Sequence, residues 1–168
     1  MNHTTYIEDF IKEMYTRIGI KDPHQLRFQR IAEALGINVF YWHRTSQALF
    51  LKTQSFIFLN KSLSDTEQWQ EFCHELGHVL QHIGDQNIMS RSWIEYQENK
   101  ANNFMYHACI PSFMLDELNL YDNNSITAIQ IQELFNVEYD FAVKRLTQYI
   151  SNKIVYAELA YRKSLQEL

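Results

Sequence analysis

A chain of 168 residues with 46% hydrophobic and 14% aromatic content has the apolar material for one sizeable core, so a single domain over 1–168 is expected. Its net charge of −5, with no block of lysine and arginine, argues against a direct nucleic-acid platform. Nothing approaches the ~18 consecutive apolar residues of a membrane span, and Met1–Phe10 carries early acids without the basic start and apolar stretch of a secretory signal, so the expected compartment is the cytoplasm. The two cysteines, Cys73 and Cys109, lie far apart within apolar helical patterns and read as reduced, buried thiols, with a disulfide or an extra metal thiolate as the alternative.

In chain order, Ile7, Phe10, Ile11, Met14 and Ile18 recur at three- and four-residue steps and predict an amphipathic helix over 4–18, ended by Gly19. Asp22 before Pro23 opens a second helix over 24–35, stopped by Gly36. Val39–Trp42, Ala48–Leu51 and Ser55–Leu59 read as short strands of a small antiparallel sheet. Ser64 or Asp65 then caps a helix that runs through Trp69, Phe72, Leu76, Val79, Leu80 and Ile83, an apolar face at helical spacing. A returning helix spans 93–104 after a loop at 84–91, a short helix runs from Pro111 to Leu118, and a polar turn covers 119–124. Helices at 126–135 and 139–161 close the chain, the last with a possible break near Ser151 and Asn152. Three parts result: 1–63 with the first helices and the sheet, 64–110 with the central helix pair, and 111–168 as a helical subdomain.

The central helix carries His74-Glu75-Leu76-Gly77-His78. Four residues make about one turn and roughly 6 Å of rise, so both imidazoles close on one metal ion while Glu75, a step round the helix, reaches a water at that ion without being a ligand. His82 lies two turns from His74, about 12 Å, and is excluded as a co-ligand; it is expected to pack or hydrogen-bond near the helix end. The extended three-histidine pattern also fails, because Gln81 and Gly84 stand where it needs glycine and histidine. A catalytic zinc site needs a third protein ligand, and Asp85, Glu95, Glu98 and Asp116 follow. Asp85 belongs to the turn. Glu98, twenty residues past His78 on the returning helix with Ala101 allowing close approach, is preferred, and Glu95 one turn earlier stays open.

Phe72 to His82, together with Glu98-Asn-Lys-Ala-Asn-Asn-Phe104, Ile31 to Phe40, Ile57 to Asn60 and Ile110-Pro111, resembles the ImmA/IrrE-type metallopeptidases of bacteria, phages and mobile elements. The resemblance covers roughly residues 25–147 and implies a gluzincin-type, zincin-like α+β domain, mostly helical, with the small sheet packed on the metal-binding helix. It implies His74, His78 and Glu98 as metal ligands and Glu75 as the catalytic base. The chain departs from the family in Met105-Tyr-His-Ala-Cys-Ile110, where a small residue and an aliphatic run are usual.

Zinc in such a site lowers the pKa of a water toward neutrality, and Glu75 takes the proton as that water attacks a peptide carbonyl, then gives it to the leaving amine. Manganese or iron would suit the same donors. Tyr106, His107 or a tyrosine elsewhere in the chain is a candidate for stabilising the oxyanion. The resemblance implies site-specific cleavage of a helix-turn-helix repressor, relieving repression of a phage, mobile element or stress response. The alternatives are a zinc-stabilised antirepressor that binds without cutting, disfavoured by the intact Glu75, and a general peptidase. The helix pair around Leu134–Val137 has helix-turn-helix spacing, but its second helix offers only Lys144 and Arg145 as basic residues, so a helical cap or protein-recognition surface is expected rather than DNA contact. Oligomeric state is left open by the sequence.

Overall fold

The computed structural model describes residues 4–51, 54–81, 90–118 and 127–166, and the fold it shows is α+β with helices dominating. The expectations for His82, Ile83, Asp85 and the polar turn at 119–124 fall outside the described residues. Helix α1 (Tyr6–Arg17) starts at a reciprocal cap in which the Thr5 N–H donates to Glu8 Oε2 at 2.7 Å and the Glu8 N–H to Thr5 Oγ1 at 3.3 Å. Its predicted face buries Ile11 and Met14, with Ile7, Phe10 and Ile18 packed beside them. Gly19 follows at φ +71°, a left-handed turn that stops the helix as expected.

The second predicted helix begins later than its spacing indicates. Asp22 accepts from the His24 N–H, the Gln25 side chain accepts from the Lys21 N–H, and this local cap closes a short 3-10 turn over Pro23–Gln25. Arg27 is extended, so helix α2 runs only over Phe28–Leu35 before the left-handed Gly36.

The sheet corrects the expected topology. Strands β1 (Asn38–Trp42), β2 (Gln47–Leu51) and β3 (Gln54–Asn60) lie in the order β1-β3-β2. β2 pairs antiparallel with β3, as predicted, but β1 pairs with β3 in parallel, Phe40 opposite Phe58, so the sheet is mixed rather than antiparallel. The reason lies in residues 43–46, which cross the end of β3 instead of turning back beside β1. Ser46, buried there, accepts the Asn60 N–H on its hydroxyl, and the Lys61 N–H donates to the Trp42 carbonyl. Ile57 and Leu59 face the core, while Phe40, Trp42, Phe56 and Phe58 form an aromatic row on the opposite face.

Helix α3 (Asp65–Gln81) packs across β2 and β3. Ser64 is its cap: the Glu67 N–H donates to Ser64 Oγ and the Ser64 N–H to Glu67 Oε2. Helix α4 (Arg91–Cys109), longer at both ends than the predicted segment, returns antiparallel to it, since Gly77 meets Ala101 and Phe104 while Cys73 meets Cys109. Both thiols are free and buried. The close approach depends on Gly77, where an added Cβ would lie 3.2 Å from Ala101 Cα and from Phe104 Cβ. Gly77→Ala sets a methyl against the Ala101 backbone, so the gain of about 1 kcal/mol in helix propensity should be offset by a shift of α4 by a few tenths of an ångström, read as weaker metal binding with little net change in thermal or denaturant unfolding.

Helices α5 (Ser112–Glu117), α6 (Ala128–Phe135) and α7 (Tyr139–Gln166) complete the fold. The sequence places a break near Ser151 and Asn152, but α7 is continuous, because neither residue removes a backbone donor and Asn152 is half-buried within the helix. Arg145, one of the two basic residues of the helix-turn-helix-like pair, is turned fully into the core. It donates from Nε to the Ile110 carbonyl and from Nη2 to Ser112 Oγ, which donates in turn to Glu8 Oε1. Among the described residues no helix is long and apolar enough to cross a membrane.

Candidate metal centre

One turn of α3 brings His74 and His78 to the same face, and the Gly77 contact lets α4 deliver Glu98 between them. Their Nε2 atoms are 3.1 Å apart, and Glu98 places Oε2 3.3 Å from His74 and Oε1 3.4 Å from His78. Among the described residues these three are the group of ligating side chains that converge closely enough to hold an ion. Tetrahedral zinc with bonds of ~2.0–2.1 Å separates its ligand atoms by about 3.3 Å. The triangle has that size, and two neutral nitrogens with one carboxylate suit zinc, manganese or iron.

Of the alternatives, Glu95 is paired with Arg91 at 3.1 Å on the exposed side of α4, away from the histidines. Glu98→Ala is accordingly expected to lower metal affinity by about 10–100-fold or more, while Glu95→Ala leaves it unchanged; metal content after dialysis separates the two. Asp116 is occupied elsewhere, accepting from Tyr149 and bridging to Lys153 at 2.6 Å.

Glu75 lies beside the triangle and is not part of it. Its carboxylate is buried and accepts the Ala48 N–H of β2, and burial, with Glu71 and Glu98 adding repulsion, pushes its pKa up to about 8. Ala48 is the contact that sequence reasoning missed, and no side chain signals it, because the donor is backbone. A cleft of about 1450 Å³ opens over the site. β2 forms one wall with residues 47–50, α3 and α4 the floor, and the start of α7 the far wall with Asp140, Phe141 and Lys144. Gln70 and Glu138 tie the floor to that wall at 3.0 Å.

The two oxyanion candidates on α4 separate in the structure. Tyr106 lines the cleft, its ring packed on Phe141 at 4.4 Å with Lys144 Nζ 4.6 Å from its centre. His107 points the other way, buried, its Nδ1 2.9 Å from the Asn103 carbonyl and its surroundings shared with Glu8 and Arg145.

The chain matches the family model of peptidase M78, described as the IrrE N-terminal-like domain, over residues 32–147. It belongs to that family, the ImmA/IrrE metallopeptidases. YqaB of Bacillus subtilis (strain 168), described as an uncharacterized protein, is 38% identical over 164 residues, covering 98% of this chain and 89% of YqaB. The phage-like element PBSX protein XkdA of the same organism is 36% identical over 167 residues, covering 99% of this chain and 83% of XkdA. A solved Mycobacterium tuberculosis transcriptional regulator shares the fold at a TM-score of 0.61 and 16% identity, over 87% of this chain. The chain spans about half of that structure, 47% of its length. The family makes this a metallopeptidase-type domain, and the helix pair that carries His74, His78 and Glu98 falls inside the matched region.

Proposed function

We propose that the protein is a zinc-dependent endopeptidase that cuts a partner protein at a specific site, and that the partner is a helix-turn-helix repressor of a phage or mobile element. The observation that carries the chemistry is the His74–His78–Glu98 triangle with a buried, non-ligating Glu75 beside it in an open cleft. Zinc, when bound, supplies Lewis acidity that activates a water and polarises the carbonyl under attack. The charge of the bound cation would favour the ionised form of Glu75, whose carboxylate accepts the proton of that water and delivers it to the leaving nitrogen, while the Ala48 N–H fixes the carboxylate in place.

β2 is an edge strand whose outer side forms the cleft wall. Residues two apart present backbone groups to the same edge, so the Ala48 carbonyl, with its N–H held by Glu75, and the N–H and carbonyl of Phe50 offer a template on which an extended segment adds as a strand. That favours an unfolded stretch or linker of a protein over a small ligand. The phage element in the name of XkdA supports a mobile-element setting, and two reduced, buried thiols accord with action in the cytoplasm.

The test is incubation of the metal-loaded protein with the repressor encoded beside it, reading products by mass spectrometry. A single cut, lost on chelation and restored by zinc, is the expected result. Release of the repressor from its operator with no cut would make the protein a zinc-stabilised antirepressor, and turnover of unrelated unfolded proteins would make it a general peptidase.

A further inference from the structure

Helix α7 is apolar on two opposite faces. Phe141, Ala142, Arg145 and Tyr149 turn inward, yet Tyr139, Val143, Ile150, Ile154, Tyr161 and Leu165 form a second stripe on the outward face, along about 40 Å of helix. Ile154 is 62% exposed and Tyr161 65%. The seam through Val143, Thr147, Ile150, Ile154, Ala157 and Tyr161 alternates steps of four and three, the spacing by which two helices pack along their length.

The charges beside this seam identify what covers it. Asp140 and Lys144 lie on one flank near the start of the helix, and Glu158 and Arg162 on the same flank near its end, where they pair with each other at 2.5 Å. Lys144 and Glu158 each stand seven residues from Ser151, and Asp140 and Arg162 each stand eleven. Antiparallel pairing about Ser151 sets this flank against the same flank of the second copy and therefore each of these charges against its opposite, whereas parallel pairing turns the flank toward the other side of the partner helix and leaves the charges unmatched. In the antiparallel pairing the seam residues interleave, Ile150 within one turn of the partner's Ile154 and Val143 within one turn of the partner's Tyr161. A membrane surface would call for a basic flank, but this one is balanced. The stripe offers roughly 600 Å² per copy, near the ~800 Å² per side of a standard interface before flanking contacts are counted.

We propose that the outward face of α7 binds a second copy of this chain, the two helices antiparallel about Ser151. The partner's Glu158 and Arg162 then meet Lys144 and Asp140, two residues of the cleft wall, so each copy completes the rim of the other's cleft. The pairing stands whether or not the cleft cuts peptides.

Sedimentation velocity of the full chain tests it, with circular dichroism confirming helix content. The wild type is expected to be a dimer at micromolar concentration. Ile154→Glu, at an exposed position, is expected to be monomeric. Glu158→Lys and Lys144→Glu each should weaken the dimer about tenfold, and the double variant should recover it. Ser151→Cys should cross-link two copies under mild oxidation, and Ser164→Cys should not. A wild-type monomer throughout, a dimer indifferent to Ile154→Glu and to the charge exchange, or a cross-link through Ser164→Cys in place of Ser151→Cys overturns the proposal.

Discussion

Glu75→Gln is expected to bind metal as the wild type does and to lose about a hundred- to ten-thousandfold in kcat/KM for the cleaved substrate. Glutamine matches the carboxylate in size, and its amide oxygen can still accept the Ala48 N–H, so the cleft wall and α3 keep their positions. The substitution removes only the capacity to take and return a proton. Because Glu75 lies outside the His74–His78–Glu98 triangle, metal content should not change, and quantifying metal in both proteins is the control. His74→Ala should behave differently, losing metal and activity together. A metal-loaded Glu75→Gln protein that keeps more than about a tenth of the wild-type rate would remove Glu75 from the base role.

How much of this was legible in the sequence follows from how local each feature is. His74 and His78 are joined by one helical turn, and the apolar residues around them fix which way that turn faces, so their convergence needs nothing else in the chain. Glu98 required a second helix, and Ala101 marks where that helix can approach closely, whereas the residue it approaches, Gly77, is set by the tertiary contact. The sheet was half legible. The hairpin of β2 and β3 is local, whereas residues 43–46 are as suitable for a turn beside β1 as for a crossing over β3, and only the tertiary contact of Ser46 with Asn60 decides. Arg145 was not legible at all. Beside Lys144 it reads as half of a basic surface, and its burial depends on Ser112 and on Glu8, 104 residues from Ser112 in the sequence. The continuous α7 was hidden in the same way, since Ser151 and Asn152 are weak helix formers without being helix breakers.

Arg145→Met is expected to destabilise the protein by about 3–5 kcal/mol near neutral pH, the effect of removing one member of a buried charged group. Methionine fills much of the volume but leaves the Ile110 carbonyl and Ser112 hydroxyl without their donor. Burial already disfavours the guanidinium, pulling its pKa down to about 10, and Glu8 and Tyr149 counter part of that. A packing defect elsewhere could produce a loss of the same size, so the discriminating readout is pH. Burial, reinforced by the Arg145 charge, lowers His107 to about 4, against an ordinary value of 6.5. The unfolded chain thus takes up a proton on His107 near pH 6.5 while the folded protein resists until about 4. Stability from this group is full above 6.5 and is lost as pH falls through 6.5 to 4. Glu8, whose pKa is lowered by Ser112 and Thr5 despite its burial, adds a loss that begins only below 4.5. In the Arg145→Met protein the cation is gone, His107 protonates at higher pH, and the acid loss from this group becomes smaller and ends sooner. His107→Gln in the wild-type background should remove this group's share of the pH dependence between 6.5 and 4, which the raised Glu75 opposes with the other sign in both proteins. Urea unfolding at several pH values measures all three proteins, and an Arg145→Met slope equal to the wild type's, with the His107→Gln slope different, would mean that Arg145 acts by filling space and not through its charge.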